Sequence, residues 1–249
     1  MNKLTFLGTA SAVPDENQQN THFTIETKDR NILVDCVGNP IVRLKQAGID
    51  PLSITDLVVT HFHPDHVSGV PLLLMDLWLM GRKFPLSIFG LNDVVARIEK
   101  MMSLFDWESW EGFYPVNFVR IHEKTMTKLI DAKSVKVWAA PVCHMIPTIG
   151  LRIASQERVL CYSSDTSPCE MVSSLASGAD ILIHEATGEG HGHSSPEQAG
   201  HVAQLSGVRK LYLIHYPADT NVDDWILRAK TCFTGEVVAA RDLMTIEFP

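Results

Sequence analysis

Four residues able to bind a metal ion occupy one short stretch, His61-Phe62-His63-Pro64-Asp65-His66. In an extended backbone the side chains at 61 and 63 share a side, and Pro64 stops the segment from continuing as a strand. A tight turn after Pro64 then brings 65 and 66 round to the same place. Imidazole and carboxylate together suit zinc, iron or manganese, and four ligands from one turn can face two neighbouring cations. A solvated polar turn is the competing reading. Against it, the segment follows directly on Asp56-Leu57-Val58-Val59-Thr60, which reads as a buried strand and sets the backbone on which the cluster sits.

The elements around that strand follow from periodicity and punctuation. Residues 3–7 alternate and stop at Gly8, 8–20 form a polar loop, and 22–27 and 31–35 read as strands around a turn at 28–30. A helix over 40–47 is stopped by Gly48. An apolar helix is expected over 71–80, a strand over 85–89, and a helix over 92–104 capped by Asn92 or Asp93. The aromatic stretch 105–114 reads as a helix-packing cluster, with an apolar lip beside the site or a subunit contact as the sharper alternative. In the second half, 135–140, 149–154 and 159–163 are strands, the last two joined across 155–158. A helix near 170–177 and a strand at 180–184 follow. Ser195-Pro196-Glu197-Gln198 then opens a helix with a capping box, ending near Gly207, and a strand at 210–214 delivers His215. Strands and helices alternate in two similar halves with no linker, so one α/β domain over residues 1–249 is expected, with helices outside a double sheet.

Composition narrows the function classes. At 45% apolar and 20% charged the 249 residues describe an ordinary globular protein. A formal charge of −8, with no run of Lys or Arg, argues against a surface built for broad nucleic-acid binding. The N-terminus has no signal-like apolar region. The most apolar run, 70–80, is broken by Asp76 and has about half the ~20 residues of a membrane span, so no membrane partner is expected. Five scattered cysteines, Cys36, Cys143, Cys161, Cys169 and Cys232, show no CxxC spacing. They read as small apolar residues of a protein kept in a reducing cytoplasm.

The pattern His61-x-His63-x-Asp65-His66 after a buried strand resembles the HxHxDH signature of the metallo-β-lactamase superfamily, whose fold is a four-layer αββα sandwich. That resemblance implies three more ligands, each just beyond an expected strand: His144, Asp165 and His215. It assigns His61, His63 and His144 to one ion, Asp65, His66 and His215 to the other, and Asp165 to both. An aspartate rather than a cysteine at 165 is similar to the dinuclear hydrolase branches. Two Zn2+ are implied, with Mn2+ or Fe as alternatives. Such a pair activates a shared water, whose proton Asp65 can accept.

In detail the chain resembles ribonuclease Z along almost its whole length. Phe6-Leu7-Gly8-Thr9-Ala10-Ser11-Ala12-Val13-Pro14 is similar to that family's first strand and loop, and Leu33-Val34-Asp35-Cys36 to its second motif. The segment from His144 to Arg152 is similar to its third-histidine motif, and Ser164-Asp165-Thr166 to its bridging aspartate. His184-Glu185-Ala186-Thr187 resembles its HEAT motif and His193-Ser194-Ser195 its HST motif. An alkoxide leaving group needs a proton, which His193 can supply, and Glu185 can keep His193 protonated. The competing reading of His193 is a loop histidine beside the glycine-rich 188–192. His22, His122, His191 and His201 read as structural or surface residues, and His184 as a support that does not ligate.

One departure stands out. The family's tRNA-gripping arm lies between the third histidine and the bridging aspartate, where this chain has twenty residues that read as one tight hairpin. No projecting basic loop replaces it; Lys124, Lys128, Lys133 and Lys136 come nearest. Three readings follow: a ribonuclease Z-like phosphodiesterase for a small or cyclic phosphodiester or an RNA, with extended tRNA not expected; a lactone or sulfate-ester hydrolase; and a non-catalytic metal-binding protein. The resemblance, with the surplus of Trp and Met in 71–114, also implies a homodimer.

Overall fold

The computed structural model describes residues 2–122 and 125–248; Lys124 therefore lies outside the described residues. Its first half comprises β1 (Asn2–Gly8), β2 (His22–Glu26), β3 (Asn31–Val34), α1 (Pro40–Gln46), β4 (Asp56–Val58), α2 (Pro64–Val67), α3 (Val70–Leu79), β5 (Leu86–Leu91), α4 (Asn92–Ser103) and β6 (Val116–Ile121). The second comprises β7 (Thr127–Asp131), β8 (Lys136–Val142), β9 (Thr148–Ala154), β10 (Val159–Tyr162), α5 (Glu170–Ala176), β11 (Ile181–Glu185), α6 (Pro196–Ser206), β12 (Lys210–Ile214), α7 (Val222–Lys230), β13 (Glu236–Ala239) and β14 (Thr245–Phe248). Two seven-stranded sheets result, ordered β14-β1-β2-β3-β4-β5-β6 and β13-β12-β11-β10-β9-β8-β7. The first pairs antiparallel from β14 to β3 and parallel from β3 to β6. The second pairs antiparallel from β7 to β10 and parallel from β10 to β13. The likeness of the two halves is therefore one of strand pairing.

Alternation along the strands explains the four layers. On β10, β11 and β12 the residues Leu160, Tyr162, Ile183, Tyr212 and Ile214 join the core between the sheets, while Cys161, Leu182, Leu211 and Leu213 face a separate core under α5, α6 and α7. Aromatic rings link the sheets: Phe23 meets Tyr162 edge-on at 5.0 Å and Phe6 lies 5.9 Å from Tyr212. Main-chain bonds tie the sheets together near the histidine cluster, with Ile149 N donating to Thr60 O at 3.1 Å and His215 N to Thr9 O at 2.9 Å.

Several elements depart from the expectations. α4 starts at Asn92 with Leu91 as its cap and no side-chain cap bond; Asn92 Nδ2 meets His122 Nδ1 at 3.1 Å instead. β6, β7, α7, β13 and β14 carry no clear pattern in the sequence. β6 is half exposed, and α7 buries only Ala229 fully, so periodicity had little to mark. The capping box at Ser195 and Gln198 is formed, and Gly207 ends that helix at φ +67°. In the aromatic stretch, Trp110 stacks on Trp78 of α3 at 5.1 Å, and Trp107 and Phe113 meet edge-on at 5.5 Å. Those rings pack on helices, while Phe105 stays 54% exposed.

The histidine turn is clamped from below. Cys36 N donates to His66 O and Gly69 N to Cys36 O, both at 2.9 Å. A Cβ on Gly69 would stand 2.8 Å from the Val37 carbonyl carbon and 2.9 Å from its nitrogen and oxygen, too close for backbone to tolerate. Gly69→Ala should cost about 1–3 kcal/mol of stability as overpacking, measurable as a lower midpoint in urea unfolding.

Candidate active site

Every ligand expected from the sequence sits at the C-terminal end of a strand or just past it. His61 and His63 follow β4, and Asp65 and His66 lie on the single turn of α2. His144 follows β8, Asp165 follows β10 and His215 follows β12. β8 and β10 both run antiparallel to β9, so these ends fall together. Three backbone positions with φ near +55° belong to this region: Asp35 (59°), Ser164 (53°) and His215 (53°). For side chains other than glycine this left-handed conformation is held only where the surroundings enforce it.

The side chains converge. Asp165 Oδ2 stands 3.4 Å from His215 Nε2, 3.5 Å from His66 Nε2, 3.7 Å from His61 Nε2 and 3.9 Å from His144 Nε2. His63 Nδ1 lies 3.1 Å from His61 Nε2 and 3.2 Å from His144 Nε2. Asp65 Oδ2 is 3.5 Å from His215 Nε2 and 3.7 Å from His66 Nε2. Two clusters match the expected ligand sets, His61, His63, His144 and Asp165 in one and Asp65, His66 and His215 in the other, while Asp165, His193 and His215 form an overlapping third group. Ligands of a tetrahedral zinc, at ~2.0–2.2 Å, stand roughly 3.3–3.6 Å apart, so the spacing fits a cation in each cluster. The buried atoms His66 Nε2, His215 Nε2 and Asp165 Oδ1 lack a hydrogen-bond partner among the described residues, which also fits ligand atoms.

Oxygen acceptors orient four of the five imidazoles. His61 Nδ1 meets Thr60 Oγ1 at 3.0 Å, His66 Nδ1 meets Asp35 Oδ2 at 2.8 Å, His144 Nδ1 meets Gly192 O at 2.7 Å and His215 Nδ1 meets Thr187 Oγ1 at 2.9 Å. Each acceptor places the ring proton on Nδ1 and leaves the Nε2 lone pair facing the centre. Asp35 also accepts from Thr60 N at 2.8 Å and from Thr60 Oγ1. Asp35, Thr60, Thr187 and Gly192 had no assigned role in the sequence. Asp35 and Thr187 lay inside recognised motifs, whereas Thr60 and Gly192 carried no signal.

Electrostatics separates the imidazoles: for His66 burial opposes protonation, but Asp165 and Asp35 outweigh it and raise it well above the ordinary imidazole value, whereas three others are lowered. Burial, and then the neighbouring charge of His66, pushes His61 well below the ordinary imidazole value; burial also lowers His63 and His144. Neutral imidazole is the form that binds metal. For Asp165 burial opposes ionisation, but His215, His66 and His61 outweigh it and hold the carboxyl well below its usual range. Burial likewise opposes Asp65, which the neighbouring His215 and the charge of His66 bring down.

Glu185, fully buried at the end of β11, accepts four bonds. Oε1 takes Ser194 N at 2.8 Å, His193 Nδ1 at 3.2 Å and Thr166 N at 3.3 Å, and Oε2 takes Thr187 N at 2.8 Å. His193 packs edge-on to His144 at 5.0 Å and stacks on His215 at 5.8 Å, so it stands beside the cluster rather than in a free loop. Burial opposes its protonation, but the Glu185 bond and charge raise it above the ordinary imidazole value. His184 is buried and bonds Glu185 O through Nδ1. His22 is buried too, with Nδ1 on Asn20 O, and burial lowers it to about 4. His122, His191 and His201 are exposed.

Fold and cluster together define a hydrolase of the beta-lactamase superfamily: the family model described as Beta-lactamase superfamily domain matches residues 30–216. A curated relative, the ribonuclease Z of Methanothermobacter thermautotrophicus, is 30% identical over 99% of this chain and 97% of its own length. The chain belongs to the ribonuclease Z family, and as such it is a metal-dependent hydrolase of phosphodiester bonds. Among solved structures, human tRNase Z, short form, matches with a TM-score of 0.80 at 25% identity over 99% of each chain. The metallo-beta-lactamase fold protein YhfI from Bacillus subtilis matches with a TM-score of 0.83 at 22% identity over 98% of each, a likeness of fold. The alignment with the Methanothermobacter protein spans 304 positions against 249 residues here, so at least 55 of its positions (304 less 249) have no counterpart in this chain.

In Glu185→Gln the amide replaces an acceptor with a donor, leaving the Thr187 N–H or one of the other three donors facing an NH2 group. The variant should lose about 1–3 kcal/mol of stability, read by urea denaturation of the metal-free protein.

Proposed function

We propose that the protein hydrolyses a small or cyclic phosphodiester, or a short RNA end, at a two-zinc centre. His61, His63 and His144 would hold one ion, Asp65, His66 and His215 the other, and Asp165 both. When bound, two such cations lower the pKa of a shared water and neutralise charge on the phosphoryl group. The observation that carries the phosphodiester reading is the His193–Glu185 pair. An imidazole with Nδ1 on a buried carboxylate keeps Nε2 available to protonate a departing alkoxide, which a poor leaving group requires. Asp65 is 15% exposed along its side chain and reaches His66 and His215 through Oδ2. Its other oxygen would accept a proton from the attacking water.

Substrate size follows from the short connection between His144 and Asp165. β9 and β10 pair from Val159 with Ala154 to Tyr162 with Leu151, and Ser155 N donates to Arg158 O at 2.8 Å across the turn. A chain bent that tightly offers no arm there for the elbow of a tRNA, and the −8 charge supplies no general attraction for one. Zinc as the resident metal, a cytoplasmic setting, one domain over residues 1–249 and a homodimer complete the reading. Elemental analysis and sedimentation check the first and last.

Zinc-loaded protein should turn over bis(p-nitrophenyl) phosphate, with no turnover of a lactone and no processing of a 3′-extended tRNA. Processing of that tRNA at low micromolar enzyme would overturn the small-substrate reading, and turnover of the lactone alone would overturn the phosphodiester one. Asp65→Ala is expected to keep its circular dichroism spectrum and lose turnover. For His193→Ala the outcome depends on the leaving group. An alkyl phosphodiester should slow by about 10²–10⁴-fold, whereas a p-nitrophenyl ester, whose leaving group needs no proton, should slow far less. Equal loss on both would remove His193 from the proton-donor role.

A further inference from the structure

Three segments of the site meet at one residue. Gly192 precedes His193 directly, and its carbonyl accepts the bond from His144 Nδ1 at 2.7 Å. Its own N–H donates to Ser167 Oγ at 3.0 Å, two residues beyond Asp165. Ser167 N donates in turn to Cys143 O at 2.8 Å, next to His144. The strand ends that carry His144 and Asp165 and the loop that carries His193 are thus closed into a ring of hydrogen bonds.

Geometry leaves no room for a side chain at this position. Gly192 has φ +81°, and a Cβ would stand 2.8 Å from His144 Nδ1, 3.0 Å from Met145 Cγ and 3.1 Å from Met145 N. Backbone conformation and the imidazole both require glycine there. Gly190, two residues earlier, differs on both counts: its backbone lies outside the left-handed region and nothing comes within 4 Å of an added Cβ.

We propose that Gly192 is a positioning residue that couples cation binding at His144 to the placement of His193. The inference rests on the reading of His144 as a metal ligand. With Nδ1–H on the Gly192 carbonyl, His144 keeps the tautomer whose Nε2 lone pair faces His63 and Asp165, and an acceptor at the far nitrogen makes that lone pair more basic. The same peptide sets where His193 begins, and the His193 ring lies against His144 at 5.0 Å. A cation that draws His144 into line therefore orders the loop 188–193, and by reciprocity an ordered loop favours the cation.

The test titrates metal-free protein with Zn2+ in competition with a chelator. It also follows hydrogen exchange of 188–193 and the 15N signal of His144 Nδ1–H, with and without zinc. The wild-type protein should bind two ions, protect the loop on loading and show a slowly exchanging Nδ1–H. Gly192→Ala should weaken one of the two ions by about 10–100-fold, with loss of both the signal and the zinc-induced protection. Gly190→Ala should behave as wild type. Ser167→Ala adds no atoms and should shift affinity and protection the same way by less; it decides the matter if Gly192→Ala does not fold. Wild-type zinc affinity in both Gly192→Ala and Ser167→Ala overturns the coupling. So does an equal loss in Gly190→Ala, and so does loop exchange in the wild-type protein that zinc leaves unchanged. Failure of the unsubstituted protein to bind any zinc overturns the reading of the site itself, and is distinguished by needing no substitution.

Discussion

Five imidazoles and two carboxylates packed at 3.1–3.9 Å in a buried setting form the constraint on which the rest of this molecule depends. Lone pairs turned toward one another away from water are unfavourable unless something positive lies between them. The scaffold therefore has to hold them against their own repulsion. Two seven-stranded sheets deliver the ligands from their strand ends, and main-chain bonds such as Ile149 N to Thr60 O and His215 N to Thr9 O fasten one sheet to the other beside the site. The left-handed backbone at Asp35, Ser164 and His215 costs of order 1–3 kcal/mol each. At Asp35 and His215 that cost falls where the side chain reaches into the cluster or bonds to it, and Ser164 directly precedes Asp165.

Around the centre a second set of contacts decides which ring nitrogen is free. Thr60, Asp35, Gly192 and Thr187 each present an oxygen to a Nδ1, so four imidazoles are oriented alike from three segments, Thr187 and Gly192 sharing the loop after β11. Glu185 extends this order to His193, because its carboxylate gathers the N–H groups of Thr166, Thr187 and Ser194 as well. His193 and the histidine–aspartate cluster thus share one hydrogen-bonded frame, which the ring through Gly192 closes.

The same frame bears on substrate size. Between the third histidine and the bridging aspartate the chain spends its residues on β9, a four-residue turn and β10, all needed to complete the sheet that presents His144 and Asp165. The proposed preference for a small substrate rests on this absence of a projecting element between residues 144 and 165.

The histidine cluster, the strand feeding it, the hairpin at 155–158, the capping box at Ser195 and the alternation of strands with helices were all legible in the sequence. Each is a local pattern: residue types at fixed offsets, read against helix or strand period. Elements with little to bury, such as β6 and α7, left no such mark, and the Asn92 cap failed because its amide found His122 across the fold instead. Which lone pairs meet at Asp165, why Asp35 and His215 adopt left-handed backbone, and why Gly192 admits no Cβ were settled only by tertiary structure. Those are contacts between segments tens of residues apart, and no local periodicity encodes them.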